Sequence, residues 1–175
     1  MRAVSKFSLL LFLFCGLLSN SLNAQEATPE NLMATFIYNF TNYIEWEKPG
    51  PDSIFRIAIF GKDKLSKPLH YIASIKKVDQ KTIQVIEAEN QSELYQSDII
   101  YVSGDHTEMI ALFNQQFPEH QSLIISASDD GLEKGAMINF INQKGKIGFE
   151  INQTAIKNHG LKVSSRLLKI AVKVI

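Results

Sequence analysis

The feature that most constrains this chain is a series of short, near-continuous apolar runs. The clearest spans Ile54 to Phe60, is interrupted only by Arg56 and stops at Gly61. Seven β-rich residues are too few for a buried helix, and continuous hydrophobicity implies a strand covered on both faces. Similar runs recur at 82–86, 98–102 and 123–126. Helical patterns lie between them at 65–75 and, after Ser103-Gly104-Asp105, up to about Gln116. Strands alternating with helices predict a largely parallel sheet joined by right-handed crossovers. The rhythm then changes. Segments 136–142 and 146–152 flank Gly145 and read as an antiparallel hairpin at one side of the sheet. A short helix at 153–158 ends at Gly160, and Ser164 or Ser165 caps a closing helix carrying Leu167, Leu168, Ala171 and Val174. The predicted class is α/β: a largely parallel central sheet flanked by helices, with a C-terminal antiparallel hairpin and closing helix.

The segment before the first run has a different character. Thr28-Pro29-Glu30 carries the marks of a helix start: a hydroxyl cap, proline at the first helical position and an acid in the first turn. Leu32, Phe36, Phe40 and Ile44 recur every four residues, with Met33 and Ile37 widening the stripe, and Pro49-Gly50-Pro51 ends the helix. Phe36, Tyr38, Phe40, Tyr43 and Trp46 are too many aromatics for one helical face. We expect Tyr38 and Trp46, with Tyr43 beside them, to be left at a surface that binds a partner, since Tyr and Trp give large contact at low entropy cost.

Residues 1–24 have the order of a cleavable secretory signal. Arg2 and Lys6 precede an apolar run too short to span a bilayer, and a polar stretch ends at Ala24. The expected products are a leader of 1–24 and a single exported domain of 25–175, with no membrane insertion after cleavage. Cys15 is the only cysteine and leaves with the leader, which excludes disulfides and thiol chemistry from the exported part. Loss of Arg2 and Lys6 also leaves 16 basic against 18 acidic side chains. That balance provides no electrostatic footprint for nucleic acid.

Catalytic signals are missing. The four histidines are scattered without metal-ligand spacing, and no nucleophile elbow, phosphate-binding loop or dinucleotide fingerprint is present. The sequence therefore implies no catalytic residue, metal or cofactor. In such a sheet a small ligand would bind beyond the carboxyl ends of the strands, where Lys62, Asp105 and Asp129 are the polar candidates. Gly, Ser and Asp at those points are also ordinary turn and cap residues.

Several segments together resemble the YfiR family of periplasmic proteins. Tyr38-Asn39-Phe40 and Tyr43-Ile44-Glu45-Trp46 are similar to its opening helix. Gly135-Ala136-Met137-Ile138-Asn139-Phe140 resembles its hairpin entry, and Gly148-Phe149-Glu150-Ile151-Asn152 its Phe-Glu-hydrophobic-Asn strand. Gly160-Leu161-Lys162-Val163 and Leu167-Leu168-Lys169-Ile170-Ala171 resemble its closing turn and helix. The resemblance implies a non-catalytic periplasmic signalling adaptor that represses a membrane-bound diguanylate cyclase by binding its periplasmic part. A partner at the outer membrane would relieve the repression, linking the envelope to cyclic-di-GMP and biofilm formation. Related domains serve other systems, so the partner is a cyclase, kinase or receptor; a homodimer is also implied. Asn139, Phe149, Glu150 and Asn152 in these motifs are expected to be structural. The family's cysteine pairs are absent here, so its redox response does not carry over. A small-ligand-binding module using the strand-end crevice is the rival expectation.

Overall fold

A computed structural model describes residues 28–46 and 53–175. The predicted leader and the Pro49-Gly50-Pro51 loop lie outside the described residues. The chain begins with helix α1 (Pro29–Phe40) and strand β1 (Ile44–Trp46). It continues through β2 (Ile54–Phe60), α2 (Ser66–Ile75), β3 (Lys77–Val78), β4 (Lys81–Ala88), α3 (Gln91–Tyr95) and β5 (Ile99–Val102). A 3-10 turn at Gly104–His106 leads to α4 (Glu108–Gln116) and β6 (Leu123–Ser126). The C-terminal part is β7 (Ile138–Gln143), β8 (Lys146–Ile151), α5 (Gln153–Asn158), β9 (Leu161–Val163), α6 (Ser165–Ile170) and β10 (Lys173–Val174).

Eight strands form one sheet in the order β10-β8-β7-β6-β5-β2-β4-β3, and β1 pairs with β9 in a separate ribbon. β4, β2, β5, β6 and β7 run parallel, as the alternation of strands and helices predicts. Their order is that of a doubly wound sheet, with the direction of winding reversing between β2 and β5. The β7–β8 hairpin continues the sheet antiparallel. The fold class is thus the one read from the sequence, a mostly parallel sheet with helices, a C-terminal hairpin and a closing helix.

Alternation along the strands divides the core. Along β5, Ile99 and Tyr101 join Phe55, Ile57, Ile125, Phe140 and Phe149 on one face, beneath α1, α2, α5 and α6. Ile100 and Val102 join Ala58, Ile124 and Ala136 on the other, under Leu94 of α3 and Ile110 and Phe113 of α4. Burial on both faces is why these strands read as unbroken apolar runs. The α1 stripe meets the hairpin through aromatic edges, with the Phe40 and Phe149 rings 5.1 Å apart and the Phe36 and Phe149 rings 5.6 Å apart.

Two elements end earlier than their periodicity predicts. Helix α1 stops at Phe40, four residues before the predicted stripe ends. Successive three-residue turns from Thr41, Asn42 and Tyr43 unwind it, and the Thr41 hydroxyl donates to the Tyr38 carbonyl at 2.7 Å. Thr and Asn are poor helix formers, while Tyr43, Ile44 and Trp46 suit a strand. Ile44 and Trp46 then pair with Val163 and Leu161. The closing helix likewise stops at Ile170. Ala171 is extended, and Val174, expected on the helix, lies in β10 instead. The free edge of β8 decides this: the Val172 amide donates to the Phe149 carbonyl and the Ile175 amide to the Ile151 carbonyl, both at 2.9 Å.

Candidate functional site

A cleft lies at the amino ends of the parallel strands. Its volume is about 390 Å³. Ile44 and Trp46 of β1, Phe55 of β2 and Val78 of β3 supply the apolar lining, while Thr41, Glu45, Asp79, Lys81 and Asp98 supply the polar groups. Each is placed by a local device. The β1–β9 ribbon presents Trp46 edge-on to Phe55, with ring centroids 5.3 Å apart and planes at 89°. Asp79 (φ 47°) and Gln80 (φ 73°) make a two-residue turn with both φ angles positive, which brings Val78 back opposite Lys81. The Tyr38 hydroxyl donates to the Lys77 carbonyl at 3.3 Å, tying the end of α1 to β3.

Asp98 is the most constrained polar group of the cleft. Its carboxylate accepts the Arg56 amide at 2.7 Å, its amide donates to the Arg56 carbonyl, and its carbonyl accepts the Leu123 amide. It therefore extends the sheet ladder by one residue across three strands. Burial pushes the Asp98 carboxyl above its usual range, against the lowering pull of the Arg56 amide and the Lys81 and Arg56 charges. Trp46 contributes the opposite kind of group: its indole Nε1 is buried and has no hydrogen-bond acceptor among the described residues. Neither Asp98 nor Lys81 stands out in the sequence. The one available signal was an acid placed directly before a fully buried strand.

The carboxyl ends of the strands look different. Lys62, Asp105 and Asp129 are all exposed, in the turns after β2, β5 and β6. At the switch point itself Ser103 and His106 crowd the backbone: a Cβ at Gly61 (φ 90°) would lie 2.3 Å from His106 Cδ2 and from Ser103 Oγ. Asp63 faces inward, accepting the Tyr101 hydroxyl at 3.1 Å and the Leu65 amide at 2.8 Å. Burial and the Asp63 charge hold the Tyr101 phenol well above its usual pKa. These groups pack together at the β2–β5 switch point.

The family-motif residues are built into the framework. Asn139 is 2% exposed; its Oδ1 accepts the Ser128 amide at 3.2 Å and its Nδ2 donates to the Ser128 carbonyl at 2.8 Å. Asn152 caps α5 by accepting the Ala155 amide at 2.8 Å. Phe149 is buried in the α1–hairpin aromatic cluster, and Glu150 is half-buried opposite Asn139. Of the predicted partner surface, Tyr38, Tyr43 and Trp46 are each half-buried, and Tyr38 and Trp46 spend part of their surface on Lys77 and Phe55.

Elsewhere, His120 stacks on His159 with ring centroids 4.1 Å apart. His120 Nε2 meets Asn114 Oδ1 at 2.9 Å, while Nδ1 accepts the Ser122 amide at 3.2 Å. Burial, with the neighbouring His159 charge, lowers its pKa to about 3, so the ring is a neutral packing element. Among the described residues no group of three or more His, Cys, Asp or Glu is arranged to hold a metal ion. Nor is any described helix long and apolar enough to cross a membrane.

Comparison with known proteins agrees with this architecture. A solved structure of a conserved domain protein from Vibrio cholerae O1 biovar El Tor is similar, with a TM-score of 0.60 and 15% identity. The match covers 84% of this chain, which spans 60% of that protein's length; at such identity it shows the fold alone. No curated protein matches the sequence. The profile of the YfiR/HmsC-like proteins matches residues 30–172, taking in the α1 aromatics, the hairpin motifs and the closing helix. Those proteins are periplasmic regulators of cyclase-related signalling, regulatory rather than catalytic. A match over that much of the sequence, on a doubly wound sheet closed by a C-terminal hairpin, means that the chain belongs to the YfiR/HmsC-like family.

Proposed function

We propose that this protein is an exported, non-catalytic adaptor that works in the periplasm, regulating a membrane-bound signalling protein by contact with its periplasmic part. Family membership over residues 30–172 is the observation that carries the reading. The surface supports it. Among the described residues β10 is the outermost strand, with one backbone edge unpaired, and Ile170, Val172, Val174 and Ile175 are exposed around it, Ile170 to 62%. Apolar side chains beside an open sheet edge suit a protein partner. The half-exposed faces of Tyr38, Tyr43 and Trp46 are a second candidate contact. In the finer form of the reading the partner is a diguanylate cyclase, held inactive by this protein, and the output is cyclic-di-GMP and biofilm formation; a homodimer is the resting form.

Affinity capture from detergent-solubilised envelopes tests the reading. The expected result is recovery of an inner-membrane signalling protein by wild type, and its loss with I170S/V172S or with Y43S. Deletion of the gene raises cyclic-di-GMP if the partner is a cyclase. Recovery of no membrane protein, together with unchanged cyclic-di-GMP in the deletion strain, rejects the proposal. Fractionation with N-terminal sequencing checks export: a periplasmic chain starting at Gln25 is expected, and an intact Met1 chain in the cytoplasm contradicts it.

A further inference from the structure

We propose that the C-terminal edge of the molecule rests by charge, without insertion, on an anionic phospholipid surface. The inference deepens the adaptor reading and rests on it for bringing the protein to a membrane; lipid binding itself is a property of the chain alone.

The near-neutral total hides a segregation of charge. Residues 82–133 carry ten acidic side chains and no Lys or Arg, whereas residues 134–175 carry eight basic side chains and one acid, Glu150. The acidic stretch builds α3, β5, α4, β6 and the turns between them, and the basic stretch builds the hairpin, α5, β9, α6 and β10. In the sheet, β7, β8 and β10 lie together at one end, so sequence segregation becomes spatial segregation. Lys144 and Lys146 flank the hairpin turn, Arg166 and Lys169 lie on α6 and Lys173 on β10, and all five are exposed. Lys173 lies opposite Glu150, and the Val172 amide donates to the Phe149 carbonyl, so the end of α6 comes level with the start of β8, where Lys146 stands. The five charges therefore line one edge. None of them forms an ion pair among the described residues, and Glu150 is half-buried.

The chemistry of the edge favours lipid over other anions. The charges are spread over a turn, a helix and an edge strand, which matches an extended charged surface better than one small anion. Four of the five are lysines, which protein interfaces deplete while enriching Arg. A lysine's compact charge needs no fixed geometry and suits mobile headgroups. Lysine also guards sheet edges against pairing, which accounts for Lys173 but not for the turn or the helix. The same surface repels the acidic remainder of the molecule, so the segregation turns this edge toward the bilayer. Because the contact is one of charge, the aliphatic side chains beside β10 stay available to a protein partner anchored in the same membrane.

Co-sedimentation with vesicles tests the proposal, using residues 25–175, which hold every described element. With 16 basic against 18 acidic side chains, this chain would avoid anionic vesicles if only its total charge mattered. The expected result at about 50 mM NaCl is at least roughly tenfold tighter binding to an equal mixture of phosphatidylcholine and phosphatidylglycerol than to phosphatidylcholine alone, largely lost at about 500 mM. K146Q/K169Q should weaken binding roughly tenfold, at a few-fold per charge. Q115E/Q116E makes the same change in net charge at exposed positions of α4 and should leave binding within about twofold, as should I170S/V172S. Equal binding to both vesicle types, binding that survives high salt, or equal weakening by K146Q/K169Q and Q115E/Q116E overturns the proposal. So does an absence of vesicle binding by wild type; if capture of a membrane protein then depends on Lys146 and Lys169, the edge fits an acidic protein surface instead. Vesicle binding without any captured protein rejects the adaptor reading and keeps the lipid contact. The lipid and salt comparisons use wild type alone and decide the matter even if a variant folds poorly.

Discussion

Asn139 offers the sharpest test of how this fold is held together. It sits on β7 opposite Ser126 and is almost fully buried, and its amide is the complete hydrogen-bonding partner of the Ser128 backbone. The loop after β6 is thereby fastened to the neighbouring strand. Gly131 packs on the same amide, for a Cβ there would lie 2.5 Å from Asn139 Oδ1. Asn139→Ala removes two hydrogen bonds of about 1 kcal/mol each and leaves half-buried backbone groups to find water, a loss of roughly 2–3 kcal/mol. For a chain of this size that is a fall in melting temperature of roughly 4–12 °C. Asn139→Asp tests the mechanism more closely. One carboxylate oxygen still accepts the Ser128 amide, but the other replaces a donor and faces the Ser128 carbonyl. Burial and that carbonyl raise the folded-state pKa of the introduced carboxyl above the ordinary value of about 3.9. The variant is therefore closest to wild type below about pH 4, where the protonated acid can donate to Ser128. Its deficit grows as pH rises through the raised folded-state pKa. Urea denaturation of wild type and both variants from acid to neutral pH measures this difference. An Ala variant within about 0.5 kcal/mol of wild type, or an Asp variant whose deficit does not change with pH, refutes the clamp.

The remaining predictions concern single devices of the same framework. Asn152→Ala removes the α5 cap and should lower stability by about 1 kcal/mol in chemical denaturation; an unchanged midpoint would contradict the cap. Gly61→Ala combines a left-handed backbone with overlap on Ser103 and His106, so its cost should exceed the roughly 1–2 kcal/mol of the backbone term alone. A smaller loss, measured by thermal melting, would contradict the overlap with Ser103 and His106. For His120 the folded-state pKa of about 3 lies below the unfolded value of about 6.5. The unfolded chain therefore binds the extra proton first, and stability present above pH 6.5 is lost as pH falls toward 3. His120→Gln should flatten that part of the pH–stability curve, and an unaltered slope would assign acid sensitivity to other groups.

Much of this architecture was legible locally. The apolar runs of β2, β5 and β6 are buried on both faces, so hydrophobicity alone marked them, and the turn residues between strands and helices located the crossovers. Thr28, Asn152 and Ser164 announced helix starts because a cap is chemistry within four residues. The same local logic failed where pairing between distant segments took over. Ile44 continues the helical stripe, yet it is a strand residue because Val163 lies opposite it; Val174 continues another stripe, yet it is held by the edge of β8. Asn90 caps α3, a helix too short for its periodicity to show in the sequence.

The sequence by itself determined an α/β sheet, its parallel centre, its C-terminal hairpin and the motifs of its family, because each rests on periodicity or capping within a few neighbouring residues. Tertiary structure alone decided the β1–β9 ribbon, the closing strand and the cleft. The cleft draws Trp46, Phe55, Lys81 and Asp98 from four separate segments, and no local pattern marks residues that meet only when the amino ends of the strands are brought together. The physical reason is one of range: backbone preference and burial act residue by residue, whereas an edge finds its partner, and a cavity its lining, only after the chain has closed.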